Sequence, residues 1–502
     1  MSISTSSTSR ASSPPDIPEK SGSRWLALAV IAVSQLLIVL DATIVNIALP
    51  TAQADLGISD ANRQWMITAY TLAFGGLLLL GGRIADFTGR KRAFIIGLLG
   101  FAAASALGGL AQNAETLFAA RALQGAFGAL MAPAALSLLT VTFTEAKERA
   151  RAFGVYGAIA GGGGAIGLLM GGVLTEYASW RWTLLVSTPI AIIAAVAAAR
   201  FVGESRAEGN TRYDLPGAVT STGGLVALVY GFTKAASDGW DSATTISFLV
   251  AAAVLLVAFV VIELRSSHPL LPMRVILDRN RGGSYLSALL LGAGMFGVFL
   301  FLTYYLQLTL GYSALETGVA FLPFTLGIIL GAGFSAQMLT RVGPRILIFA
   351  GMLLAAAGMV LLTRIGLDTG FWSHVLPAEL IISFGIGVVF GPMSNTALVG
   401  VADHDAGVAS ALINTTQQIG GSLGTALLNT IFTSAVAGYI VDHATSDPAQ
   451  LPALQGAATV HGYTVAFWVS AAVLGVAAVI ALVLVKASRQ EVTSTDAVPV
   501  AV

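Results

Sequence analysis

The chain has no cysteine, only five histidines, and only 10% charged residues among its 502. Without thiols it can build no disulfide, thiolate metal site or cysteine nucleophile. A soluble domain carries about 25% charged residues, so this chain has too few to cover a water-facing surface, and lipid must be the solvent for most of it. Its formal net charge is zero, which removes the basic field that nucleic acid needs. No G-x-x-x-x-G-K-[ST] occurs, so no phosphate-cradling loop is expected. The histidines, His268, His374, His404, His443 and His461, all fall between the apolar runs. No intramembrane metal site, cofactor site or histidine-based catalytic cluster can then be assembled, which argues against a membrane enzyme.

What the chain does have is apolar length. Fourteen runs can cross about 30 Å of hydrocarbon, the first at 25–49 and the last at 464–486. Helices are expected, because each backbone polar group must be satisfied within its own segment. With the N-terminus inside, 21 of the 26 lysines and arginines fall on the cytoplasmic side. Four fall outside (Arg63, Arg181, Lys234, Arg364) and Arg121 lies in a span. This bias places both termini in the cytoplasm. Polar, Ser- and Pro-rich residues 1–24 read as a disordered tail, and residues 487–502 read likewise. A cleaved signal peptide is the alternative for the N-terminus, since Ala52-Gln53-Ala54 resembles a cleavage site. The longest outer loop, about 433–463, is too small for a domain.

A repeat divides the chain. Gly82-Arg83-Ile84-Ala85-Asp86-Phe87-Thr88-Gly89-Arg90-Lys91 follows the second run, and Ala336 to Arg345 follows the tenth, aligning Gly89 with Gly343 and Lys91 with Arg345. The expected fold is therefore all-α membrane: a six-helix half at 25–201, an inserted hairpin at 215–263 and a second half at 284–486. Repeated halves with a site between them are the common plan of secondary transporters.

Asp41 lies inside the first run, with the apolar pattern resuming from Ile44 to Leu49. A mid-span aspartate costs roughly 2.5–3.5 kcal/mol, so it should face a cavity or a partner. Arg121 lies in the fourth run at a similar expected depth, which points to a pair or a shared hydrogen-bond network; outward snorkelling is the alternative. Burial opposes the charge of an acid and a nearby cation favours it, so such a site can titrate as a proton carrier must. Glu115, Glu263 and Glu379 fall near span ends, which leaves Asp41 as the one mid-span acid and argues against dicationic substrates. Gly163, Gly167 and Gly171 recur every four residues and predict a groove for close helix contact. Tyr304, Tyr305 and Gln307 in the ninth run, with Asn414, Gln417 and Gln418 in the thirteenth, are candidate cavity residues; interhelical hydrogen bonding is the alternative.

At these residues the chain resembles a known family. Gly82 to Lys91 resembles the loop signature of the major facilitator superfamily, and Arg121, Gln124 and Gly125 match its fourth-helix motif. Leu40 to Pro50 resembles the first-helix motif of the fourteen-span drug:proton antiporter branch. Tyr304-Tyr305-Leu306-Gln307 and the stretch from Ala406-Gly407 through Asn414, Gln418, Gly420 and Gly421 agree. The resemblance implies proton coupling by Asp41 and Arg121, and a cytoplasmic gate at Gly82, Asp86, Gly89 and Arg90. It implies export of small amphipathic organic compounds across a bacterial inner membrane by a monomer whose partners are lipid, substrate and protons. Three positions depart from the pattern: Leu168 replaces the proline of the fifth-helix motif, Ser187 stands for a common asparagine, and Phe87 replaces a basic residue. Lipid or glycolipid export, or uptake by the same fold, are the alternatives.

Overall fold

The computed structural model describes residues 21–143, 145–206, 214–266, 269–271, 273–401, 406–444 and 447–493. The described chain is helical throughout apart from its connections. The long helices are α1 (Ser21–Leu56), α2 (Trp65–Thr88), α3 (Arg90–Gly109), α4 (Ala114–Thr142) and α5 (Ala146–Tyr177). They continue as α6 (Trp182–Phe201), α7 (Leu215–Asp238), α8 (Ala243–Arg265), α9 (Arg279–Thr309) and α10 (Ala314–Val342). The last four are α11 (Pro344–Leu362), α12 (Phe371–Leu398), α13 (Ala406–Asp442) and α14 (Pro448–Leu484). Thirteen helices among the described residues are long and apolar enough to cross a membrane.

Local chemistry sets the starts and turns. Asn113, Asp214, Ser242, Asp278 and Ser313 each accept a backbone N–H at the start of α4, α7, α8, α9 and α10, satisfying donors that a helix N-terminus leaves free. Gly89 between α2 and α3 and Gly343 between α10 and α11 both take positive φ, +111° and +80°, a conformation that suits glycine. The two aligned glycines therefore make the same turn in the two repeats.

Packing repeats too. α4 lies along α2 and α3, as α12 lies along α10 and α11. α1 pairs with α5 as α9 pairs with α13, and α3 with α6 as α11 with α14. Between the two sets, α2 meets α13 and α5 meets α10, two contacts that exchange under the repeat. α7 and α8 pack on each other, and α7 also packs on α2 and α13. The glycine groove forms as the spacing predicts. Cβ atoms added at Gly163, Gly167 and Gly171 would lie 3.2 Å from Val39, 2.0 Å from Thr43 Oγ1 and 2.7 Å from the Ile44 carbonyl, so α5 holds the face of α1 beside Asp41.

Several expected boundaries shift outward. α1 does not stop at Pro50 but runs through it to Leu56. Asn46, whose carbonyl a proline at position 50 cannot serve, turns its side chain to donate to the Ala42 carbonyl. The 433–463 loop is mostly helix, because α13 continues to Asp442 and α14 starts at Pro448, which places His461 in a helix. His374 likewise falls in the π-turn that opens α12. Polar residues beyond the hydrocarbon boundary do not end a helix by themselves. Two stretches of the expected tails are helical: α1 already includes Ser21, and Arg489–Thr493 forms a short helix. Residues 1–20 and 494–502, with His268 and His404, lie outside the described residues.

Candidate functional site

Asp41 and Arg121 meet. Asp41 on α1 is fully buried, and Arg121 on α4 is 2% exposed. The guanidinium Nη1 donates to Asp41 Oδ2 at 2.7 Å and to Gln124 Oε1 at 2.9 Å. Its Nε donates to the Met66 carbonyl on α2 at 2.9 Å. Gln124 Nε2 donates to Asp41 Oδ1 at 3.0 Å and to Ser105 Oγ on α3 at 2.8 Å. The Tyr70 ring lies 4.6 Å beneath the guanidinium carbon. Four helices thus converge on one ion pair, and both carboxylate oxygens are occupied. A buried pair survives desolvation only with such geometry. Charge-assisted bonds of this length are about twice as strong as neutral ones. Snorkelling of Arg121 is ruled out by its burial.

Gln124 was legible three residues after Arg121, one helical turn on the same face. Ser105, Tyr70 and the Met66 carbonyl carried no signal of their own.

The glycine-turn motif sits at the opposite end of α2. Arg90 Nε donates to Asp86 Oδ1 at 2.9 Å, and the Arg90 amide donates to the Ser205 carbonyl. Lys91 Nζ donates to the Ala199 carbonyl in the last turn of α6. A Cβ at Gly89 would lie 2.8 Å from Glu204 Oε1, and one at Gly82 would meet Pro133 at 3.4 Å. In this conformation the motif braces α2 and α3 against the segment after α6.

The candidate cavity residues do not form one cluster. Tyr304, Tyr305 and Gln307 lie near the last turns of α9, and Phe301 just below them stacks on Phe432 of α13 at 5.5 Å. Asn414 is 18 residues before Phe432 on α13, about 27 Å along a helix axis. The Tyr304 hydroxyl donates to Gln53 Oε1, Gln307 donates to the Ile47 carbonyl, and Tyr305 donates to the Gly366 carbonyl. Asn414 is exposed, and Gln417 and Gln418 are half-buried. Gln418 lies against Gly75 of α2, its Oε1 unpartnered. The sequence shows that two helices carry polar residues, but not that the two groups sit at different depths.

Three buried groups were read differently from sequence. Glu379, taken as a span-end acid, is fully buried in α12, and neither of its oxygens has a hydrogen-bond partner. Glu263 is also buried and accepts the Leu271 amide at 2.9 Å. Asp41 is therefore not the one buried acid, and the argument against dications from a missing second acid falls. Arg63, taken as an outer-loop cation, is 2% exposed. It donates from Nε to Asn429 Oδ1 of α13 at 3.0 Å. Asn429 in turn donates to the Asp60 carbonyl and to Gln64 Oε1, each at 2.8 Å.

Among the described residues, the hydrogen bonds between α1–α6 and α9–α14 involve Ile47, Gln53, Asp60, Ala61, Arg63, Gln64, Thr71 and Glu176 of the first set. The bundle is thus closed at the end that carries the α1–α2 turn.

Comparison with known proteins agrees with this architecture. The Major Facilitator Superfamily model matches residues 31–425. A puromycin resistance protein, pur8, of Streptomyces alboniger is 52% identical over 480 residues, 95% of this chain and 94% of that protein. The cephamycin export protein CmcT of Amycolatopsis lactamdurans is 40% identical over 84% of this chain and 87% of its own length. The multidrug transporter MdtP of Bacillus subtilis is 30% identical over 84% of this chain and 78% of its own. Among solved structures, a bacterial homologue of the human lysosomal transporter Spinster in an inward-facing, unoccupied conformation superposes with a TM-score of 0.65. It covers 93% of this chain and 98% of its own at 16% identity, a likeness of fold. This multi-pass membrane protein is a transporter, not an enzyme, and it belongs to the Major Facilitator Superfamily.

Proposed function

We propose that this chain exports amphipathic organic compounds, antibiotics among them, from the bacterial cytoplasm in exchange for protons. The observation that carries the reading is the buried, hydrogen-bonded Asp41–Arg121 pair in the α1–α6 bundle. The names of its relatives, which speak of resistance and export, support the direction and the substrate class. The lysine and arginine bias supports cytoplasmic termini, which makes the closed end the outer one and this conformation inward-facing.

α5 is the fourteenth crossing in this reading. α7 and α8 are a hairpin inserted between two six-helix halves, and the chain works as a monomer. A proton taken by Asp41 from outside weakens its bond to Arg121. When the carboxyl next faces the cytoplasm, substrate binding favours its release. Membrane potential adds about 2.3 kcal/mol per charge per 100 mV, and one pH unit adds about 1.4 kcal/mol. One proton per cycle can therefore move a solute well uphill. Asn414, Gln417 and Gln418 line the cytoplasm-facing side of the path. Gly82, Asp86, Gly89 and Arg90 form the inner gate when that end closes.

Cells expressing the chain should tolerate some members of an antibiotic panel better than cells lacking it, and a protonophore should abolish the difference. Labelled antibiotic accumulating inside expressing cells would overturn the export direction.

A further inference from the structure

Arg63 is a buried cation held mainly by aromatic faces. Its guanidinium carbon lies 4.3 Å from the Tyr304 ring centre, 4.5 Å from Phe432 and 5.9 Å from Phe301. Tyr463 of α14 stacks on Phe432 at 5.1 Å, and its hydroxyl has no partner. The nearest carboxylate, Asp60, stands 3.7 Å away and is itself 63% exposed. One guanidinium nitrogen, Nη2, makes no hydrogen bond. Arginines buried in proteins are ordinarily paired with acids. This one has ring faces, one amide and, at 3.7 Å, a solvent-exposed carboxylate; the ring faces are a chemistry suited to any organic cation.

The box and its occupant also belong to different parts of the chain. Phe301, Tyr304, Phe432 and Tyr463 come from α9, α13 and α14. Arg63 comes from the turn between α1 and α2 and is joined to them through Asn429. Opening of this end must draw the turn away from α9 and α13, and with it the guanidinium.

We infer that the box of Phe301, Tyr304 and Phe432, backed by Tyr463, is a binding site for organic ammonium or guanidinium groups when the outer end is open, with Arg63 as a tethered occupant that expels such a cation on closure. The inference rests on the alternating cycle proposed above. In that cycle it places the site where cargo leaves. Return of Arg63 then makes rebinding from outside and closure mutually exclusive.

The test uses the full-length purified protein and a fluorescent aryl-trimethylammonium salt, read by anisotropy. The neutral tert-butyl isostere serves as control. Arg63→Gln should tighten binding of the ammonium probe about thirtyfold, the size of a desolvated cation–ring contact, and leave the isostere unchanged. Phe432→Leu in the Arg63→Gln background should remove that gain, which mere loss of a nearby positive charge would not allow. Asn429→Ala releases Arg63 without altering a ring and should also tighten binding, so the test survives if Arg63→Gln does not fold. No gain in whichever of these variants elutes as the wild type does, or an equal gain for the isostere, would overturn the site. Proton release by the Asp41→Asn variant reports on the cycle independently. Its failure and the failure of the aromatic site are therefore distinguishable.

Discussion

Among the described residues two arginines are buried, and they are held in opposite ways. Arg121 makes three hydrogen bonds within one six-helix set, one of them to a carboxylate. Arg63 reaches across to the other set, leans on rings and has one nitrogen without a partner. A charge that must keep its place through a conformational cycle is best locked to groups that move with it. A charge that must let go is best held by contacts that are individually weak and indifferent to register. In the proposed cycle the two sites lie at the two ends of this contrast: a fixed titrating centre and a releasable plug.

The largest expected effect comes from Arg121→Ala. It leaves Asp41 buried without its cation and the Met66 carbonyl without its donor, a loss of about 3–5 kcal/mol, read as a large drop in thermal unfolding temperature in detergent. Arg121→Lys should not rescue it, because an ammonium cannot span the three acceptors as a planar fork does. Arg63→Ala should cost less, about 2 kcal/mol for the lost ring contacts, and Arg63→Lys should restore most of it. Equal losses at the two positions, or rescue by lysine at position 121, would break the comparison.

A fixed Asp41 also needs a fixed α1. Gly171→Ala meets the Ile44 backbone carbonyl and should cost about 1–3 kcal/mol as overpacking and impair transport. Gly438→Ala on α13, with nothing within 4 Å, should be silent in both assays. A small effect on stability is expected at the partly exposed Asp86–Arg90 pair, 2.9 Å apart. Asp86→Asn should change stability by about 1 kcal/mol or less, so a strong loss of transport would support the proposed gate.

The sequence was most legible where lipid is the solvent. Apolar run length predicted the thirteen helices that are long and apolar enough to cross a membrane among the described residues, since no other arrangement satisfies the backbone in hydrocarbon. Asp41 and Arg121 stood out because charge is rare there. Gly163, Gly167 and Gly171 stood out because their spacing repeats the helical turn. What could not be read was tertiary. Ser105 and Tyr70 are ordinary helix residues until three neighbours close on them. Arg63 sits at a boundary where arginine is common, and only packing buries it. Glu379 does stand near a span end, in the first turn after Leu376, but its burial could not be read, because a charge near the end of an apolar run is ordinarily wet. Tyr304 and Asn414 were grouped as polar neighbours although a helix of about 27 Å separates their levels.

The measurement that bears most directly on the proposed cycle is proton release from the purified protein in weakly buffered detergent solution, followed with a pH indicator as an exported antibiotic is added. The wild type should release protons on substrate addition, and Asp41→Asn, folded and still able to bind, should release none. Equal release from the Asp41→Asn protein would contradict the assignment of Asp41 as the proton carrier.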